Sequence, residues 1–246
     1  MREQPEQQAP PVQRLRVRYA KRGRMRFTSH RDFSRAFERA VVRAGIPMAY
    51  SSGFNPHPRI SYAGAAPTGS ASEAEYLEIG LARESESVAV LGALDEALPP
   101  GLDVLEVVVS QGGSLADRLE ASHWRITLPG VAADDCAAAV EEFLAADEVA
   151  VERMTKKGVR SFDCRAAVVS LASHGGTGPV GECAILDVVL RHGTPSVRPD
   201  DVLAGLREVV GLQVDTAPLH ERLAQGPLDP QTGTVGDPLA PDRDTA

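Results

Sequence analysis

Leu15, Val17 and Tyr19 alternate with Arg14, Arg16 and Arg18. That period of two predicts a strand with one apolar face and one wet, basic face. Lys21-Arg22-Gly23 turns the chain, after which Met25 and Phe27 again alternate with Arg24 and Arg26. The period then lengthens: Phe33, Ala36, Phe37, Ala40, Val41 and Ala44 follow the spacing of one buried helix face. Ser29 or Thr28 caps this helix, Asp32 suits its positive end, and Gly45 with Pro47 stops it. Tyr50–Arg59, with Gly53, Asn55, Pro56 and Pro58, reads as a loop. Strands at Ile60–Ala63 and Ala74–Ala82, a helix at Val88–Leu98 and a strand at Leu102–Val109 complete a β-α-β-β-α-β order.

After Gly112-Gly113 a similar cycle is predicted. Trp124–Leu128 is strand-like, Asp134–Ala146 helical and Val149–Met154 strand-like. Ala166–Leu171 and Cys183–Leu190 form a hairpin around a Gly/Ser/His loop at 172–181, Asp200–Val210 is a helix, and Leu212–Val214 closes the sheet. The expected fold class is α+β, two ferredoxin-like (βαββαβ) units packed together with disordered N- and C-terminal tails. The expected division is a tail at 1–13, a first unit at 14–111, a second at 112–224 and a Gly/Pro-rich tail at 225–246.

Composition narrows the class. The 246 residues are long enough for one or two domains. No apolar run reaches the length of a membrane span, and the polar beginning has no signal-peptide h-region, so the expected location is cytoplasmic. Cys136, Cys164 and Cys183 lie far apart, which excludes a disulfide framework and a zinc or iron–sulfur ligand run; no metal and no cofactor are expected. The net charge of −8 hides an asymmetry. Residues 1–60 hold 13 of the 26 Lys and Arg and only four acids, Glu3, Glu6, Asp32 and Glu38, a net +9 against −17 for the remainder. A cationic segment on an acidic protein points to an anionic partner.

The residues that could meet such a partner form an array. Arg31, Arg35, Arg39 and Arg43 recur every fourth position opposite the Phe33/Phe37 face, and Arg14, Arg16 and Arg18 share the wet face of the first strand. Guanidiniums bind phosphate in bidentate fashion. Arg153, Lys156, Lys157 and Arg160 could extend the path. The sequence has neither a G-x-x-x-x-G-K-[ST] nor a G-x-G-x-x-G run, so nucleic acid fits better than a nucleotide. His30 at the helix start and His57 between Pro56 and Pro58 could act as general acid and base in RNA cleavage, or bind a metal with Asp32; orientation of a loop or a partner is the commoner use. Phe54 could stack on a base or anchor its loop. Glu73 and Glu75 suit cross-strand pairs with the arginines, and Cys164 reads as a buried thiol.

Arg26-Phe27-Thr28-Ser29-His30-Arg31-Asp32, followed by Arg35-Ala36-Phe37-Glu38-Arg39-Ala40 and by Tyr50-Ser51-Ser52-Gly53-Phe54-Asn55-Pro56-His57-Pro58-Arg59, closely resembles the radical SAM-linked protein family. Pro67-Thr68-Gly69-Ser70 and Ser72-Glu73-Ala74-Glu75-Tyr76 carry the same likeness. That family is a domain of unknown function found alone or fused behind a radical S-adenosylmethionine protein. The distinctive motifs span about residues 15–82, with a looser likeness to about 220. The resemblance implies partnership with a radical SAM enzyme, whose Cys-x-x-x-Cys-x-x-Cys motif is absent here, so this chain looks like the stand-alone form and would not itself generate a radical. It points to Phe27, Ser29, His30, Asp32, Gly53, Phe54, Asn55, Pro56, His57 and Pro58 as motif residues without assigning them chemistry. The element order is also similar to that of RAMP-type RNA-processing proteins, a likeness of fold that transfers no activity.

These readings combine into one expectation: a non-catalytic accessory of a radical SAM enzyme that binds RNA, tRNA or rRNA, through Arg14, Arg16, Arg18, Arg31, Arg35, Arg39, Lys156 and Lys157. No DNA and no membrane partner is expected. A metal-independent endoribonuclease using His30 and His57, and a protein-interaction module without RNA, are the alternatives.

Overall fold

A computed structural model of the chain describes residues 7–155, 158–178 and 181–243. The chain divides into two compact units, Met1–Arg118 together with Pro238–Ala246, and Leu119–Asp237. The boundary therefore falls at 118/119 rather than at 111/112, and the end of the chain returns to the first unit.

The first unit runs β1 (Gln13–Lys21), α1 (His30–Arg43), β2 (Ile60–Ala63), β3 (Ala71–Leu81), α2 (Ser87–Ala97) and β4 (Leu102–Val109), with α5 (Ala240–Arg243) from the returning segment. Its sheet order is β4-β1-β3-β2, all neighbours antiparallel. On β1 the predicted alternation decides the layers. Leu15 pairs with Ile79 and Val17 with Leu77 on the apolar face, which packs with Phe33, Phe37, Ala40 and Val41 of α1 and Val90 and Leu94 of α2. The Ser29 Oγ accepts a hydrogen bond from the Asp32 N–H at 3.2 Å, which satisfies one of the helix's free amides. At the other end Gly45 sits at φ +65°, a left-handed position that glycine occupies without steric cost.

The second unit runs β5 (Ala121–Pro129), α3 (Ala133–Ala145), β6 (Ala150–Thr155), β7 (Gly158–Asp163), β8 (Val168–Gly178), β9 (Gly181–Arg191), α4 (Pro199–Val210) and β10 (Leu219–Gly226). Its sheet order is β10-β5-β9-β8, again antiparallel, while β6 and β7 form a hairpin of their own. Phe143 is wholly buried, and a side chain at Gly205 of α4 would collide with its ring and with the Cys164 sulfur. Burial pushes the Cys164 thiol up to about 12 and Cys136 to about 11, so neither is a nucleophile at neutral pH.

Several elements differ from expectation. Gly23–Phe27 is a 3₁₀ turn, not a strand. The expected loop at 172–181 belongs largely to β8, whose register with β9 continues to Gly178 opposite Gly181. The sheet is closed by β10 and not by Leu212–Val214. Neither expected tail is disordered in its described part. Val12 N–H donates to the Leu81 carbonyl and Gln8 N–H to the Ser52 hydroxyl. At the other end Leu228 bridges Val235, and Leu239 and Asp242 are buried.

Candidate functional site

On β1 the basic face is covered at its centre. Arg16 is 0% exposed. Its Nε donates to Glu78 at 3.1 Å, one terminal nitrogen donates to both oxygens of Asp242 at 2.9 and 2.8 Å, and the other donates to the Gly112 and Gly113 carbonyls at 2.8 and 2.7 Å. Arg118 donates to Asp242 at 2.7 Å, and the Gln111 N–H at 2.9 Å. Burial raises the Asp242 carboxyl, but these donors and the charge of Arg16 outweigh it and hold the acid below the usual aspartate range. Arg14 pairs with Glu78 at 2.8 Å, and Arg18 donates to the Glu73 carbonyl at 2.9 Å. Arg22, at the following turn, pairs with Glu73 and Asp103. The reading of Arg16 as part of a phosphate surface is therefore corrected. Arg16 has no free donor, because segments 110–118 and 238–243 bring it two carbonyls and Asp242, while the partners of Arg14 and Arg18 come from the neighbouring strand β3.

Helix α1 is the opposite case. Arg31, Arg35, Arg39 and Arg43 are all exposed, and among the described residues no carboxylate lies within salt-bridge distance of any of them. Four residues turn an α-helix by ~400°, so each step drifts by about 40°. Arg35, Arg39 and Arg43 consequently fall on one side and line a groove of about 560 Å³ with Glu38, Val42, Tyr50 and Pro58, while Arg31 lies outside it. Among the described residues that line this groove, only Glu38 brings a negative charge.

The loop that closes the groove is braced from within. Tyr50 bridges Pro58, the Ser51 N–H donates to the His57 carbonyl at 2.8 Å, and the His57 N–H donates to the Ser51 hydroxyl at 3.0 Å. Arg59 Nε donates to the Tyr50 carbonyl at 3.1 Å. Gly53 takes φ +122°, which only glycine tolerates readily. Between these braces Phe54, Asn55, Pro56 and His57 are exposed. His57 thus contributes its backbone to the loop's geometry.

The motif at the start of α1 is also held. Ser29 donates to the Asp32 carboxylate at 2.7 Å, so this acid is committed to the helix cap. His30 stands edge-on to Tyr62, ring centroids 4.9 Å apart. The groove contains neither His30 nor His57. Among the described residues no group of three or more His, Cys, Asp or Glu is arranged to hold a metal ion.

Two buried ionic residues hold one loop: Lys21, expected only in a turn, and Glu75, expected in a cross-strand pair with an arginine. Lys21 Nζ donates to the Ala66 and Pro67 carbonyls, both at 3.3 Å, and the Glu75 carboxylate accepts from the Ala66 N–H. Together they fix the loop whose Gly69 N–H donates to the Arg26 carbonyl at 2.7 Å, and so support the 3₁₀ turn before α1. A lone Lys at a strand end carries no pattern that marks it as buried. Lys156 and Lys157 lie outside the described residues; Arg153 is bound to Asp201 at 2.8 Å, and Arg160 is exposed.

The fold and this surface define an α+β protein with one unneutralised arginine helix. The chain belongs to the family described as "Uncharacterized protein conserved in bacteria (DUF2344)", whose model matches residues 14–199. No curated protein matches. Among solved structures the chain is similar to one in "Crystal Structure of a Cbf5-Nop10-Gar1 Complex", at 8% identity and a TM-score of 0.45, covering 91% of this chain and 55% of that one. The chain thus spans about half the length of that relative. It is also similar to "Crystal Structure of an Unknown Protein from Galdieria sulphuraria", at 14% identity and a TM-score of 0.25, covering 85% and 98%. No helix among the described residues is long and apolar enough to cross a membrane.

Proposed function

We propose that this protein is a non-catalytic, cytoplasmic accessory of a radical SAM enzyme, binding RNA through the arginine face of α1. The observation that carries the RNA reading is the absence, among the described residues, of carboxylate partners at Arg31, Arg35, Arg39 and Arg43, where Arg14 and Arg16 of β1 are paired with Glu78 and Asp242. Unpaired, exposed guanidiniums in register on one helix are an electrostatic footprint for a polyanion. The radical SAM partnership rests on the resemblance of the motifs at 26–40 and 50–59. We also read each unit as ferredoxin-like, a reading supported by sheet orders that place the first strand between the last and the third in both.

Filter binding to total small RNA tests the surface. Four phosphate contacts give a log–log salt slope near −3 to −4, so affinity falls steeply between about 50 and 200 mM salt. An affinity that does not change over that range contradicts the RNA reading. For the partner, proteins that co-purify with the tagged chain should include one bearing Cys-x-x-x-Cys-x-x-Cys, and consistent absence of such a protein contradicts that part.

A further inference from the structure

The chain has six Phe, four Tyr and one Trp. Eight of these eleven rings are buried or half-buried; the exposed three are Phe27 at 60%, Tyr50 at 38% and Phe54 at 64%. All three flank α1. Phe27 ends the 3₁₀ turn three residues before the helix, Tyr50 lines the arginine groove, and Phe54 stands on the braced loop that Tyr50 and Pro58 close. An exposed ring leaves apolar surface in water, whereas Phe33 and Phe37 of α1 itself are buried in the core. The loop holds Phe54 out by backbone bonds, not by slack: Ser51 and His57 exchange two hydrogen bonds across its neck. The Arg26 guanidinium lies 4.7 Å from the Phe27 ring centroid.

We infer that this surface is built for single-stranded RNA, with Phe27, Tyr50 and Phe54 as platforms for unpaired bases and the α1 arginines on the phosphates. The inference rests on the RNA reading and sharpens it to a substrate class. Sequence-tolerant single-strand sites gain affinity from aromatic faces near a basic groove, because every base offers a π-face while a duplex has its bases already stacked; here Tyr50 shares the groove with Arg35, Arg39 and Arg43, and Phe27 and Phe54 precede and follow α1 in the chain. Pre-braced rings lose little conformational freedom on binding. The chemistry is charge-complementary to an RNA strand.

The test compares a labelled oligo-adenylate of about 12 nucleotides, within the span of single-strand grooves, with a blunt RNA duplex of the same length. Both are titrated against wild type, Phe27→Leu, Phe54→Leu and the triple variant Arg35→Ala/Arg39→Ala/Arg43→Ala. Leucine keeps the apolar surface of an exposed side chain and removes the π-face. The single strand is expected to bind about tenfold or more tighter than the duplex, and each leucine variant to weaken single-strand binding about fivefold or more with duplex binding unchanged. The arginine variant should weaken both. Equal affinity for the two forms, or leucine variants that bind like wild type, overturns the stacking inference and leaves the arginine surface standing. Wild type that binds neither form overturns both.

Discussion

Strand β1 carries an arginine at every second position and helix α1 one at every fourth, and the two rows end in different electrical states. On β1, Arg16 is sealed beneath the returning C-terminal segment with Asp242, Glu78 and two carbonyls, while Arg14 and Arg18 are engaged by Glu78 and the Glu73 backbone. On α1 four guanidiniums face solvent with no carboxylate beside them among the described residues. A row of arginines is therefore not a binding surface by count. It becomes one where the fold brings no acid to it, and it is a structural fastener where the fold does.

The contrast breaks most visibly at Asp242. Asp242→Ala leaves two guanidiniums, one of them wholly buried, without their shared partner, and should cost about 3–5 kcal/mol in chemical denaturation. RNA binding by the fraction still folded should be unaffected. A cost under about 1 kcal/mol would mean that Arg16 is not the fastener its geometry indicates.

Acid should loosen the same fastener. Because the Asp242 carboxyl titrates below its ordinary value in the folded chain, its contribution is fully present above about pH 4 and is lost as pH falls through the folded value. Urea midpoints measured from pH 5 downward should fall, and fall less steeply in Asp242→Asn. Identical slopes for the two proteins would contradict that assignment.

A smaller effect separates helix integrity from helix charge. Ser29→Ala removes the α1 cap and should cost about 1 kcal/mol of stability, read as a lowered denaturation midpoint. Its RNA salt slope should match wild type, since no arginine is lost. A changed slope would show that fraying, not charge, governs the surface.

Much of the first unit was legible from period alone. The alternation at 14–19 and the i, i+3, i+4 spacing from Phe33 to Ala44 mark β1 and α1 because each has one apolar face, which is buried. β7 was illegible for the opposite reason: its side chains are exposed or half-buried on both faces, so nothing alternates. β10 hides its burial in polar residues, with Arg222 and Gln225 nearly inaccessible and the Arg222 guanidinium over Trp124. The last segment reads as a tail by composition, yet Leu239 and Asp242 anchor it to residues more than a hundred positions away in sequence. Of the candidate surface, the α1 row was visible on a helical wheel. The neutralisation of β1 was not, since the acid that seals Arg16 lies 226 positions away.

The most direct test of the contrast sets two arginine-deficient variants side by side across one salt series with small RNA. Arg14→Ala should keep the wild-type slope, because its charge is already paired with Glu78. Arg35→Ala/Arg39→Ala/Arg43→Ala should flatten it by about 2–3, at roughly 0.7–0.9 per lost phosphate contact. If the β1 variant flattens the slope and the α1 variant does not, the assignment of the two rows is reversed and the account fails.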